Sequence, residues 1–152
     1  MPSVAVDTGI LVAVMARDDG HYAEALNFFK SNQAQLVTNV AVLTEAAYLL
    51  SFRHDAARDM LHWVSQAFEI DTGTAADLPR IVEIMNKYSD LPADFADASQ
   101  MAMCERRGIN EIATLDKDFN VYQLSSGDKL RNVFYDEDGR WHSGGESDEF
   151  NL

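Results

Sequence analysis

Six acids in this chain stand in surroundings unlike an ordinary charged surface: Asp7, Glu45, Asp94, Asp97, Asp116 and Asp118. Asp7 and Asp116 each close a short β-rich run, while Glu45 interrupts a helical face otherwise made of Val42, Leu43, Ala46 and Leu50. A carboxylate buried there unpaired would cost several kcal/mol. The positions three and four residues away hold Ala41, Val42, Tyr48 and Leu49, so no Lys or Arg on the same helix neutralises it. A divalent cation is a partner that would. Asp94 and Asp97, three apart at a helix start, share a face near the positive end of the helix dipole. Two carboxylates at ~4 Å repel by roughly 4 kcal/mol at an effective dielectric near 20, so four together need compensation. Mg²⁺ or Mn²⁺ supplies it. Hard oxygen donors without a Cys or His cluster favour these ions over zinc, and the same arrangement can align an in-line phosphodiester hydrolysis. The reaction class implied is that of a metal-dependent nuclease.

The elements that must position these acids can be read from periodicity and punctuation. Ser3 to Val6 reads as a strand ending at Asp7, with Thr8-Gly9 as a break before a helical run from Ile10 to Met15. Tyr22, Ala25, Leu26 and Phe29 recur at helical spacing. Leu36 to Thr38 is a brief strand, and Asn39 is placed to cap the helix that carries Glu45. His54 to Gln66 is amphipathic, and Ala67 to Ile70 reads as a strand. Thr74 and Asp77 have the spacing of a capping box before a helix that ends near Tyr88. Phe95 to Arg107 is helical with Gly108 as its stop, and Ile109 to Leu115 is a strand ending at Asp116. Asn132 to Tyr135 and Arg140 to His142 flank Asp136-Glu137-Asp138-Gly139 as a hairpin with an acidic tip.

Alternating short strands and helices predict an α/β fold with a parallel sheet covered on both faces. Binding sites of such sheets gather at the C-terminal strand ends, which places Asp7 and Asp116 together. The chain divides into a domain over 1–124, a hairpin extension over 125–142 and an acidic tail over 143–152 with too few apolar groups to pack.

At 152 residues, 47% apolar and 24% charged, the chain has the composition of one globular domain. Its net charge of −13 has the wrong sign for holding nucleic acid by bulk electrostatics, so any such role must run through local chemistry. The acids after residue 135 do not account for this, because that segment contributes −5 and leaves −8 on the rest. The single cysteine, Cys104, excludes an internal disulfide and a Cys-rich zinc site, as expected in a reducing compartment. No apolar stretch approaches the roughly 20 residues of a membrane span, and no basic region with a cleavage site opens the chain. These features predict a cytoplasmic protein with no membrane partner.

Four segments in order resemble the PIN-domain nucleases, and in particular the VapC-like toxins of toxin–antitoxin pairs. They are Val6-Asp7-Thr8, then Val42-Leu43-Thr44-Glu45-Ala46-Ala47-Tyr48-Leu49-Leu50, Ala96-Asp97-Ala98-Ser99, and Ala113-Thr114-Leu115-Asp116-Lys117-Asp118-Phe119. The resemblance covers about residues 3–124. It implies a three-layer α/β/α domain, an acidic quartet of Asp7, Glu45, Asp97 and Asp116 binding Mg²⁺ or Mn²⁺, and ribonuclease activity blocked by a partner antitoxin. Asp94 and Asp118 fall where auxiliary carboxylates occur in the family. Thr8 and Thr114 are neighbours of the first and fourth acids, with hydroxyls able to orient them or a bound water. A homodimer is expected from the resemblance and from apolar helical faces rich in Leu, Met and Phe.

Plainer readings stand beside these. Asp94 suits a helix N-cap and Asp118 a loop acid. Cys104 reads as a small core residue, since no His stands in a motif with it. His54 and His62 are eight apart, which is not a metal spacing. A phosphatase of the haloacid-dehalogenase type needs an Asp where this chain has Gly9, and a receiver domain would not explain Glu45. A non-catalytic PIN-like module that binds RNA or protein is the alternative of a different class.

Overall fold

The computed structural model describes residues 2–135. Its centre is β1 (Ser3–Val6), a run too short and too apolar to lie anywhere but between neighbours on both edges. β2 (Gln35–Asn39) pairs with it in parallel on one side and β4 (Glu111–Ala113) on the other. β3 (Glu69–Asp71) and β5 (Arg131–Asn132) extend the sheet outward, giving the all-parallel order β3-β2-β1-β4-β5.

Side chains of a strand alternate between faces, and the two faces here belong to two cores. Val4, Val6 and Leu36 pack with Ile10 and Leu11 of α1 (Thr8–Met15), Val42 and Ala46 of α3 (Val40–Leu49), and Met60 and Val64 of α4 (Ala56–Ala67). α2 (Tyr22–Ser31) adds Ala25 and Phe28 to the same core. Ala5, Val37 and Ile112 pack on the opposite side with Ile81 and Ile84 of α5 (Thr74–Lys87) and Met101 and Met103 of α6 (Phe95–Arg107). The expected α/β/α layering is therefore observed. Among the described residues, no helix is long and apolar enough to cross a membrane.

Several boundaries differ from those read in the sequence. α1 begins at Thr8, directly after the strand, because the Asp7 carboxylate accepts the Thr8 N–H and caps the helix that Thr8-Gly9 was expected to precede. The capping box expected at Thr74 and Asp77 does not form. α5 starts after Gly73 without a side-chain cap, and the Asp77 carboxylate turns to Arg106 instead. A reciprocal capping box is found at α6, between Asp94 and Asp97. The extension over 125–142 contributes β5, which joins the sheet parallel to β4; the expected second arm, 140–142, and the acidic tail lie outside the described residues.

Candidate functional site

Because β1 and β4 are parallel neighbours, Asp7 and Asp116 leave the sheet at the same end. α3 follows β2 without a loop, so Glu45 comes to that end on its second turn. Asn39 fixes this geometry twice. Its Oδ1 accepts the Val42 N–H at 3.0 Å, capping α3, and its Nδ2 donates to Ser99 Oγ of α6 at 3.1 Å. One buried side chain thus joins the helix of Glu45 to the helix of Asp97. Asn39→Ala is expected to lower stability by about 1–2 kcal/mol through the lost cap and the lost tie, read as a fall in denaturation midpoint with an unchanged slope.

Asp7 is 6% exposed. Its Oδ1 accepts the Thr8 N–H at 2.8 Å and Gln100 Nε2 at 2.7 Å, and its Oδ2 accepts the Thr114 hydroxyl at 2.6 Å. Burial nevertheless raises its pKa, against the three hydrogen bonds. Thr114 is itself immobilised, since Asn132 of β5 donates from Nδ2 to its carbonyl at 3.1 Å and its Oγ1 accepts the Asp116 N–H at 2.9 Å. Its hydroxyl therefore orients Asp7 and not the Asp116 side chain. The Thr8 hydroxyl is buried without a partner, so Thr8 supports Asp7 through its backbone alone.

The other acids gather around this fixed point. Burial first, then the charges of Asp94, Asp7 and Asp116, raise Asp97 to about 8. Burial and the charges of Asp94 and Asp7 raise Glu45 to about 7. Asp116 is also raised, by burial and by Asp118 and Asp94, although its Oδ1 accepts the Asp118 N–H at 2.9 Å. Asp94 caps α6 as its N-cap reading expects, accepting the Asp97 N–H at 2.8 Å, and also faces Glu45. All six acids singled out in the sequence come to one end of the sheet.

A third strand-end carboxylate shows what a structural one looks like. Asp71 closes β3 at 4% exposure, and burial would raise it, yet Arg106, Arg107 and the Gly73 N–H bring its pKa down to about 2. No Arg among the described residues pairs with Asp7, Glu45, Asp94, Asp97, Asp116 or Asp118. The uncompensated set is chemically suited to a hard divalent cation, being all oxygen. Among the described residues, no three Asp, Glu, His or Cys side chains stand as a ready-made ligand group.

Gln100 was missed in the sequence. A glutamine on a helix is ordinarily turned to solvent, and its partner Asp7 is 93 residues away. Next to the acids an open groove of about 710 Å³ runs between α3, α5 and α6, walled by Val40, Ala41, Tyr48, Leu78 and Phe95 and by Glu45 and Asp94.

A family model described as PIN domain matches residues 4–123. No curated protein matches. Among solved structures, the VapC20 toxin of Mycobacterium tuberculosis, described as cleaving the sarcin-ricin loop, is 24% identical, covers 78% of this chain and 93% of its own, and has a TM-score of 0.72. VapBC2 from Rickettsia felis, bound to a DNA fragment from their promoter, is 15% identical over 78% of this chain and 92% of that chain, with a TM-score of 0.59. At these identities the likeness is one of fold.

Proposed function

This chain belongs to the PIN-domain family, and on that premise we propose that it is a Mg²⁺- or Mn²⁺-dependent ribonuclease of the cytoplasm, the toxin of a toxin–antitoxin pair. The observation that carries the reading is the set of carboxylates that four separate elements bring to one end of the sheet with no ion pair to Lys or Arg among the described residues, two of them raised to about 7 and about 8. Asp7, Glu45, Asp97 and Asp116 would hold the ion, some directly and some through its bound waters, with Asp94 and Asp118 flanking them. Bound there, the ion would polarise a phosphate oxygen and supply hydroxide at neutral pH.

The chain's own part is orientation. Asp7 is held on both oxygens and has no freedom to follow a ligand, so it sets the position to which the others adjust. Glu45 and Asp97 repel their neighbours and gain most from a cation. Thr114, locked by Asn132, keeps β1, β4 and β5 in the register that the site requires. With a net charge of −13, affinity for RNA must come from the ion and from local contacts and not from the general field.

Partners under this reading are an RNA substrate, a cognate antitoxin and a second copy of the chain. The exposed apolar residues Val40, Tyr48, Phe52, Leu78 and Val82 support a protein partner. The VapBC2 complex, a structural neighbour, is described with promoter DNA, which supports an antitoxin partner here.

The test is cleavage of single-stranded and structured RNA with Mn²⁺ or Mg²⁺. Cleavage is expected with either ion, to stop in excess chelator and to return when the ion is restored. RNA retained but left intact with the ion present would favour the non-catalytic module, and cleavage that persists in chelator would refute the ion-dependent reading.

A further inference from the structure

Gln100 makes a demand that the protein does not meet. It lies on α6 three residues after Asp97, is wholly buried, and uses only its Nε2, which donates to Asp7 Oδ1 at 2.7 Å. Its Oε1 is buried with no hydrogen-bond partner. Native proteins rarely leave a buried carbonyl in that condition without an unseen water or ion to explain it.

Packing does not require a glutamine at this position. Its helical neighbours Ala98, Met101 and Met103 are apolar and buried, and a methionine would fill a similar volume without stranding an oxygen. Support of Asp7 does not require the carbonyl either, because only the amide nitrogen reaches that carboxylate. What remains is an acceptor fixed beside Asp7 that calls for a donor from outside the chain. Four buried side-chain atoms among the described residues lack partners, and two of them, Gln100 Oε1 and Thr8 Oγ1, belong to residues that also hydrogen-bond to Asp7. A cation that takes few carboxylates keeps waters, and those waters are donors.

We propose that Gln100 is a positioning residue of the ion site, fixing Asp7 through Nε2 and accepting through Oε1 a hydrogen bond from a water in the hydration shell of a divalent cation bound beside Asp7. The proposal rests on the ion-dependent reading above and adds to it a residue outside the acidic set. Residues that orient ligands and their waters in this way change metal affinity by about 10–100-fold when replaced.

Mn²⁺ alone is the probe, and the readout is the rise in melting temperature that it produces over chelator in the full chain. Three proteins are compared: the native chain, Gln100→Met, which removes both polar atoms, and Gln100→Glu, which keeps an acceptor oxygen but loses the donor to Asp7. A large rise is expected for the native chain and for Gln100→Glu. A rise reduced to match an affinity about tenfold weaker is expected for Gln100→Met. Because each protein is compared with itself in chelator, a variant that is less stable without the ion still reports. No rise in the native chain would refute the ion-dependent reading and this inference together. A native rise equalled by Gln100→Met would overturn the role of Gln100 alone, and so would equal losses in both variants, which would assign the effect to Nε2.

Discussion

Asp97→Asn is expected to abolish measurable RNA cleavage, a loss on the order of 10²-fold or more, while leaving the metal-free protein as stable as before or more stable by about 0.5–2 kcal/mol. Burial and the charges of Asp94, Asp7 and Asp116 hold the Asp97 carboxyl at about 8. Its unfolded value is near 3.9. The protonated form is therefore the favoured one in the folded protein. Stability from this group is fully present below about pH 4 and falls as the pH rises toward about 8, levelling off above. An amide in its place carries no such penalty. It can also still accept the Asp94 N–H, which the carboxylate accepts at 3.3 Å, so the capping box is preserved. Thermal melts in chelator across that pH range should show a slope in the native protein that is reduced in Asp97→Asn, and added Mg²⁺ should raise the native melting temperature more than the mutant's. A mutant that melts lower, ignores Mg²⁺ and still cleaves RNA would show Asp97 to be only part of a helix cap.

Asp7, Asp116 and Glu45 were legible because each carries a local signal, an Asp directly after an apolar run or a Glu within an apolar helical face, and Asp94 and Asp97 by their spacing at a helix start. Asp7 and Asp116 needed only the rule that parallel strands end together. What surrounds them was not legible, because it depends on residues distant in sequence. Gln100 reaches Asp7 across 93 residues and Thr114 reaches it across 107. The Thr74–Asp77 spacing matched a local motif, but Arg106 offers Asp77 a charged partner from another helix, and the charged bond wins over a cap. The parallel pairing of Arg131 and Asn132 with Glu111 and Ile112 was not legible either, because it joins segments 20 residues apart with no turn signal of its own.

Arg106→Met should be the most destabilising single change outside the apolar cores. Arg106 donates to Asp71 at 2.5 Å and 3.1 Å and to Asp77 from Nε at 3.0 Å, and Asp71 is almost sealed from water. Removing the cation strands a buried carboxylate. The expected cost is about 2–4 kcal/mol, less than for a fully sealed pair because Arg106 is 38% exposed and Arg107 still reaches Asp71 at 3.0 Å. The pH signature is opposite to that of Asp97. With Asp71 held at about 2, its contribution is present above about pH 4 and lost as the pH falls toward 2. Arg106→Met should flatten that acid limb in denaturant melts, and pairing it with Asp71→Asn should recover much of the loss. An unchanged midpoint would show the network to be decorative.

The central position of β1 also imposes an order in time. The first strand of this sheet to be made is the one that needs partners from both early and late segments of the domain, and the carboxylate that follows it is gripped by a hydroxyl 107 residues later. At a synthesis rate of roughly 5–20 residues per second, about 5–20 s separate the appearance of Asp7 from that of Thr114. During most of that interval the earlier helices and β2 can collapse around β1, but its other edge stays open and Asp7 has neither Gln100 nor Thr114 to hold it. A nascent chain is therefore without its assembled site until nearly all of the domain has emerged.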